Sequence, residues 1–129
     1  MFVACSTRCF GTSPLADALR RIGELGFTKV DVAVCDDGPQ LKSADVAADI
    51  GRTAQRLRAG PGLAVAAFHI ELAERLSADE AAAQVHAMCR LARVMATPLV
   101  SLCAPPAGSG AVPKQRVEQA TNTATSVAC

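Results

Sequence analysis

The side chains with the greatest chemical potential follow four apolar segments that lie far apart in the sequence. They are Ser6, Thr7 and Arg8 after the first segment, Cys35, Asp36 and Asp37 after the second, His69 and Glu71 after the third, and Ser101 and Cys103 in or after the fourth. Their types suit metal ligation, proton transfer and the binding of hydroxylated or phosphorylated ligands. Functional groups gather at the carboxyl ends of parallel strands, so these residues converge only if all four segments are parallel strands of one sheet.

His69 is the most informative single residue because it ends a segment, residues 63–68, that is almost pure hydrocarbon. A polar ring in such surroundings needs a hydrogen-bond partner. The functional interpretation is a metal ligand or a proton-transfer group at the mouth of a pocket. The structural alternative is an imidazole that bonds a backbone carbonyl. Glu71 faces the same way as His69 if the strand continues, and is a solvated loop carboxylate if it does not.

For the other polar residues that could be functional, a structural role is the favoured interpretation. Residues 36–39, Asp-Asp-Gly-Pro, are typical of a turn, with a cation site as the alternative. His86 lies within a predicted helix beside its apolar stripe and is expected to be half exposed. The chain has no GxGxxG sequence and no Walker phosphate loop, and Ser101 lies within a predicted strand rather than on a GxSxG turn.

Short apolar runs alternate with longer amphipathic segments along the chain. The apolar runs predict strands at residues 2–5, 29–34, 63–68 and 98–103. Between the strands, the helical spacing of apolar residues predicts three helices. The first begins with Ser13 as its cap and Pro14 in its first turn and ends at Gly26, the second covers residues 45–59, and the third begins with a capping box of Ser77 and Glu80 and ends near Ala96.

The alternation of strands and helices predicts an α/β fold with a parallel sheet. We expect a (βα)4 unit, half of a TIM barrel, with strand order 1-2-3-4 and the helices outside, because a full barrel needs about 250 residues. The alternative is an open flavodoxin-like sheet of order 2-1-3-4 with helices on both faces. Residues 1–105 are expected to form the domain, and residues 106–129 a loop with a weak C-terminal helix or a disordered tail.

The composition excludes several classes of function. The net charge is +1, aromatic residues make up 3%, and Trp and Tyr are absent, so neither a nucleic-acid-binding surface nor a base-stacking platform is expected. No run of about 20 apolar residues predicts a membrane span. Arg8 follows the short apolar N-terminus too closely for a signal peptide. We expect a cytoplasmic protein whose six cysteines are reduced and act as small hydrophobic residues.

Three parts of the sequence resemble the sugar phosphate isomerase/epimerase family, the xylose isomerase-like TIM barrels that also include endonuclease IV. They are Cys5-Ser6-Thr7 with residues 14–32, which contain Glu24-Leu25-Gly26-Phe27; the third strand with its His at residues 62–69; and the third helix and fourth strand at residues 89–100. The resemblance covers about residues 2–105 of the chain. It implies the amino-terminal half of such a barrel.

The resemblance implies a divalent metal (Mn, Mg, Co or Zn) at the barrel mouth and proton transfer next to a sugar carbonyl. His69 matches a family position that is a metal ligand in the endonuclease-like branch and a substrate neighbour in the epimerases. Cys103 stands where the family often has His, and Asp31 stands where it commonly has Glu. The family's metal carboxylates and acid/base pair come from later strands, so we expect no robust activity from this chain alone.

The sequence therefore predicts a truncated, metal-dependent sugar (phosphate) isomerase/epimerase-like protein. His69 is the predicted catalytic residue and metal ligand, and Ser6, Thr7 and Glu71 are predicted to bind a sugar or sugar phosphate. The open sheet edges of a half barrel predict self-association. The alternative is a self-contained α/β module that binds a small ligand or a partner at the strand ends.

Overall fold

Strands and helices alternate through most of the chain in this computed structural model, which describes residues 3–58, 62–73 and 76–103. The strands are β1 (Cys5–Ser6), β2 (Lys29–Cys35), β3 (Ala64–Glu71) and β4 (Leu99–Leu102). The helices are α1 (Leu15–Glu24), α2 (Ser43–Ala48), α3 (Ile50–Arg58) and α4 (Ala78–Met95), and a short 3-10 helix (Thr7–Phe10) follows β1.

The four strands form one parallel sheet in the order β1-β2-β3-β4. Each strand pairs in parallel with the strand that precedes or follows it in the sequence. This arrangement confirms the predicted α/β class and strand order, and it is consistent with half of a βα barrel. The flavodoxin-like order 2-1-3-4 is wrong for this chain, because β2 rather than β1 lies beside β3.

The sheet has one buried and one open face, and β2 shows the division most clearly. Its residues alternate between half-buried and fully buried along the strand. Val30, Val32 and Val34 are completely buried and share one face, whereas Asp31 and Ala33 lie on the other. All four helices contribute to the core that contains these valines, through Leu15, Leu19, Ile22, Val46, Ala54, Leu57, Met88 and Leu91. The helices therefore pack against a single face of the sheet, as they do in a barrel.

β3 continues the same division across the sheet. Phe68 and Ile70 pair in register with valines of β2 and are completely buried in the helix-side core. His69 and Glu71 alternate with them and fall on the open face. The burial of a large aromatic ring thus decides which way the neighbouring imidazole points.

β1 and β3 differ most from their predicted bounds, whereas β2 is one residue longer than predicted and β4 is one residue shorter at each end. β1 comprises only Cys5 and Ser6, the two residues that pair with β2, and Phe2 lies outside the described residues. β3 does not end at Phe68 but continues to Glu71, because β2 pairs with it up to that residue. The hydrocarbon pattern underestimates this strand because its last open-face positions carry polar side chains.

The helix ends follow the sequence predictions in part. Gly26 ends the first helical segment with φ of 85°, a left-handed conformation that glycine adopts without steric cost. The predicted capping box is also present, with Ser77 N donating to Glu80 Oε2 at 2.8 Å. Ser13 as a helix cap is wrong. Pro14 occupies the cap position without a side-chain bond, because its backbone is still extended (ψ 151°) and its carbonyl oxygen accepts the first helical hydrogen bond, from Ala18 N at 3.0 Å.

The predicted second helix, residues 45–59, is two helices in the structure. α2 and α3 are separated by Asp49, whose backbone is extended (φ −153°, ψ 95°). Asp49 Oδ1 accepts a hydrogen bond from Arg52 N at 2.8 Å and so caps the start of α3. Apolar spacing could not reveal this break, because it depends on a carboxylate on the polar side of the segment.

Residues 106–129, predicted as a loop with a weak helix or a disordered tail, lie outside the described residues. Within the described residues, none of the helices has the length and apolar character that a membrane crossing requires.

The burial of Phe68 yields a prediction about stability. Its ring is completely buried, so Phe68→Ala leaves a cavity and should lower the free energy of unfolding by about 3–5 kcal/mol. Leu25→Ala is the matched control, because Leu25 is 65% exposed and truncation there should cost less than about 0.5 kcal/mol. Urea unfolding followed by circular dichroism measures both. Equal losses in the two variants would contradict the assignment of the buried face.

The edges of the described sheet are β1 and β4, whose outer backbone groups can pair with another chain. β4 is the longer edge, and its Leu99 is 52% exposed. We expect two copies to associate through this edge. Leu99→Lys should shift sedimentation toward the monomer, because a charge on an edge strand opposes pairing. Val94→Lys, on an exposed position of α4, is the control. A wild-type chain that sediments as a monomer at high concentration would rule the association out.

Candidate functional site

A cavity of about 370 Å³ opens at the carboxyl ends of the strands. Its walls come from the ends of β1, β2 and β3 and from the segment after β2. The lining residues are Ser6, Arg8, Gly11, Ala33, Val34, Cys35, Gly38, Pro39, Gln40, Leu41, His69, Glu71 and Cys103. The volume suits a small metabolite, and the position is the one where parallel α/β sheets and barrels bind their ligands.

His69 reaches this cavity from the open face of β3, with its side chain 40% exposed. Its Nδ1 lies 2.5 Å from Oγ of Ser101, the residue of β4 that pairs with it in register. Ser101 Oγ in turn lies 3.4 Å from the backbone carbonyl oxygen of Phe68. The imidazole is therefore held by a side chain from the neighbouring strand.

The Ser101 hydroxyl can either donate to His69 Nδ1 or accept from it, and the tautomer of the imidazole decides which. When the ring proton is on Nδ1, the Ser101 oxygen accepts the hydrogen bond and the hydroxyl hydrogen is left for the Phe68 carbonyl oxygen at 3.4 Å. In that tautomer Nε2 carries the lone pair and is the basic nitrogen of the ring.

Asp31 supplies a negative charge next to that basic nitrogen. It lies on the open face of β2, 28% exposed, with Oδ2 3.8 Å from His69 Nε2. This distance is too long for a hydrogen bond but short enough for a charge interaction. When Nε2 takes a proton, the Asp31 carboxylate stabilises the imidazolium. Three adjacent strands thus supply one carboxylate, one imidazole and one hydroxyl.

Arg8 and Glu71 form an ion pair across the mouth of the cavity. Arg8 follows β1 and Glu71 ends β3, so the Nη2–Oε1 contact passes over the end of β2, the strand between them. The hydrogen bond to Glu71 raises the pKa of the Arg8 guanidinium above its ordinary value. Arg8 therefore keeps its positive charge throughout the physiological pH range.

Ser6 and Thr7, both predicted to bind substrate, have different positions. Ser6 lines the cavity, and its Oγ accepts a hydrogen bond from Arg8 N at 3.2 Å. Thr7 is completely buried, and its Oγ1 accepts from Ala33 N at 3.0 Å. Gln40 Nε2 donates to the Thr7 carbonyl oxygen at 3.0 Å. Thr7 thus ties the chain after β1 to β2 and to the segment behind it, away from the cavity lining.

The segment after β2 forms the predicted turn. Asp36 Oδ1 accepts hydrogen bonds from the backbone N–H of Ser43 at 2.9 Å and from its hydroxyl at 2.7 Å. The carboxylate therefore organises the start of α2, as a capping acid does. Its bonds are made within the fold and give no support to a cation site in this turn.

The donor atoms of the described residues do not fit a divalent metal. Within residues 3–58, 62–73 and 76–103, no group of three or more His, Cys, Asp or Glu side chains converges on one point. Catalytic metal sites use about three protein ligands, whereas His69 has only Asp31 beside it and Glu71 is engaged by Arg8. A metal at this edge would need ligands from outside the described residues, so no step is assigned to one.

The described cysteines are all free thiols. Burial is the main factor that raises the pKa of Cys5 and of Cys89, so both thiols resist ionisation. Cys35 and Cys103 line the cavity, and Cys103 is exposed. Cys103 is therefore a chemical reporter for occupation of the cavity.

Sequence reasoning identifies His69 but does not group it with its two neighbours. The sequence marks Asp31 only as a departure from the family pattern, and Ser101 only as a residue within a strand. The alternation of side chains between the two faces of a strand could have placed both residues on the open face, since Asp31 alternates with the apolar valines of β2. For Ser101 the register of β4 against β3 is also needed, and no local pattern in the sequence specifies that register.

Comparisons with known proteins identified no relative of this chain: no protein-family model, curated protein or solved structure matched it. The function must therefore be inferred from the geometry of the site alone.

The exposure of Cys103 gives a test of whether small molecules enter the cavity. A ketose sugar that binds there should slow the alkylation of Cys103 by iodoacetamide, because the ligand covers the thiol. Cys9 is the internal control, since it is exposed but does not line the cavity. Peptide mass spectrometry measures both rates in one sample. Slowing at Cys9 and Cys103 alike would mean that the sugar acts on the reagent or on the whole fold.

Proposed function

We propose that the chain forms the amino-terminal half of a sugar (phosphate) isomerase/epimerase-type site, in which His69 moves a proton at the carbon next to a carbonyl group. The observation that carries the proposal is the placement of His69. It lies at the carboxyl edge of a parallel sheet, lines a cavity of metabolite size, and is held through Nδ1 by Ser101. We also propose a reducing, cytoplasmic setting, in which the cysteines stay reduced.

The chemistry begins with removal of a proton from the substrate by His69 Nε2. The C–H bond adjacent to a carbonyl breaks, its electron pair forms the enolate, and the proton passes to the imidazole. Asp31 then stabilises the imidazolium from 3.8 Å. Delivery of a proton from solvent to the opposite face of the same carbon gives an epimer. Return of the proton from His69 to the former carbonyl carbon, with transfer of the hydroxyl proton between the two oxygens of the enediol, gives the isomer.

The neighbours of His69 explain why it can act as a base. The Ser101 hydroxyl holds Nδ1 and fixes the ring orientation, so Nε2 is the nitrogen presented to a ligand. The partial exposure of the ring, 40%, leaves room for a substrate to approach. Hydroxyl groups of a sugar can bond to Ser6 and to Glu71, which line the same cavity.

Among the residues that the structure describes, no cation in the cavity lining is free to stabilise the enolate oxygen at the reacting carbonyl. In the described residues, Arg8 is the nearest candidate cation at the rim, and it is already paired with Glu71. Stabilisation of the charge that develops in the transition state usually contributes more to such catalysis than any other effect. We therefore expect the chain alone to exchange a substrate proton slowly and to convert little substrate.

The proposal is tested by binding and by proton exchange. Titration with a ketose should perturb the NMR ring signals of His69 but leave those of His86, the only other histidine, unchanged because it is exposed on α4. In deuterium oxide, the chain should accelerate exchange of the proton next to the ketose carbonyl. His69→Gln should reduce that acceleration by about 100-fold or to background, since general-base catalysis contributes this much.

Two controls separate the proposed role from simpler ones. Free imidazole at the same concentration gives the background that the chain must exceed. Ser101→Ala should bind the ketose normally but exchange the proton more slowly, because the ring loses its orienting partner. Binding without any exchange would contradict the proton-transfer role and favour the alternative, a small-ligand-binding module. If the chain neither binds the ketose nor exchanges its proton, the proposed site is wrong.

A further inference from the structure

The ion pair of Arg8 and Glu71 is unusual in where it lies. Arg8 lies in the 3-10 helix after β1, whereas Glu71 ends β3, which is not a neighbour of β1 in the sheet. The two side chains meet over the cavity rather than on the outer surface of a helix. An Arg–Glu pair on the surface of α1 offers a comparison: Arg20 Nη1 bonds Glu24 Oε1 at 2.8 Å within one helix. That pair is a local helix contact, whereas the pair at the rim closes part of an opening.

The rim pair is also weakly held. The Arg8 side chain is 61% exposed and that of Glu71 is 35% exposed, so water screens the attraction. Such pairs contribute little to folding and exchange readily for other partners of the same charge. The contact uses one guanidinium nitrogen, Nη2, although a guanidinium can present two parallel donors to an oxyanion.

The contact with Glu71 shows that an oxyanion fits against Arg8 at the rim of the cavity. It is a carboxylate from the chain itself, seated against a cation at the rim of a cavity of about 370 Å³. Ser6 lies in the same lining, and because its Oγ accepts from Arg8 N, its hydroxyl hydrogen can still be donated to a ligand. A guanidinium and a hydroxyl close together are the groups that recognise phosphate and carboxylate oxygens.

We propose that Arg8 and Ser6 form a binding site for the phosphate or carboxylate group of an anionic ligand, and that Glu71 occupies this site as an internal competitor until the ligand displaces it. No covalent bond changes in this exchange. The Arg8–Glu71 contact is replaced by contacts from Arg8 to the ligand, and the released Glu71 carboxylate accepts hydrogen bonds from water or from a hydroxyl group of the same ligand. The proposal names the substrate class of the site proposed above and in that respect depends on it.

The distinguishing consequence is that the two partners of one ion pair have opposite effects on binding. Removal of Glu71's charge removes the competitor, so Glu71→Gln should bind inorganic phosphate about threefold to tenfold more tightly than wild type. Removal of Arg8's charge removes the site, so Arg8→Gln should bind it at least about tenfold more weakly. Arg8→Lys should fall between wild type and Arg8→Gln, because it keeps the charge but loses the planar fork.

The experiment is calorimetric titration of the full chain and its variants with inorganic phosphate and, in parallel, with acetate. A preference for phosphate identifies a phosphorylated ligand, and equal or better binding of acetate identifies a carboxylate. Arg20→Gln and Glu24→Gln are the matched controls, since they break an exposed Arg–Glu pair away from the cavity and should leave both affinities at the wild-type level. Urea midpoints for all variants confirm that each is folded.

The outcomes are separable from those of the proton-transfer experiment. Phosphate binding needs no proton transfer, so His69→Gln should retain it. Weaker or unchanged phosphate binding by a folded Glu71→Gln overturns the competitor role. If Arg8→Gln and the Arg20→Gln control lose the same amount of phosphate affinity, the anion site is wrong, because the loss then reflects only the change in net charge. Either result leaves the proton-transfer role of His69 to be decided by the exchange experiment.

Discussion

The burial of one face of the sheet against the helices is the constraint on which the rest of the structure depends. Val30, Val32, Val34, Phe68 and Ile70 all turn toward that core and are completely excluded from water. Because side chains alternate along a strand, every residue between them must face the other way. Asp31, His69 and Glu71 reach the open face for this reason, and a shift of either strand by one residue would bury charged groups in hydrocarbon.

Much of the architecture could be predicted from the sequence, because the spacing of apolar residues indicates which segments are strands and which are helices. The runs at residues 29–34 and 63–68 predict strands, the spacing of Leu15, Leu19 and Ile22 predicts α1, and the capping box predicts the start of α4. The features that could not be predicted depend on single polar contacts. The break at Asp49 arises from one carboxylate that caps α3, and the cap position of Pro14 is set by the hydrogen bond from Ala18 N to its carbonyl oxygen.

The candidate site could be predicted only in outline. The sequence indicates that His69 stands at a strand end, but its partners belong to strands more than 30 residues away on either side. Whether they meet depends on strand order and register, which follow from packing of the whole core. Glu71 illustrates the same limit: the sequence leaves it as a strand residue or a loop carboxylate, and the structure places it against Arg8, 63 residues distant.

The short connection between α4 and β4 determines what His69 can touch. Ala96 adopts a left-handed conformation (φ 53°), which an alanine occupies at a cost of about 1 kcal/mol. Thr97 then anchors the chain twice, through its N–H to Ala92 O at 2.8 Å and through its hydroxyl to Val65 O at 3.2 Å. A single residue gained or lost in this bend would rotate β4 by half a turn. An aliphatic side chain would then replace the hydroxyl beside the imidazole, and the ring would lose its orientation while the sheet itself stayed intact.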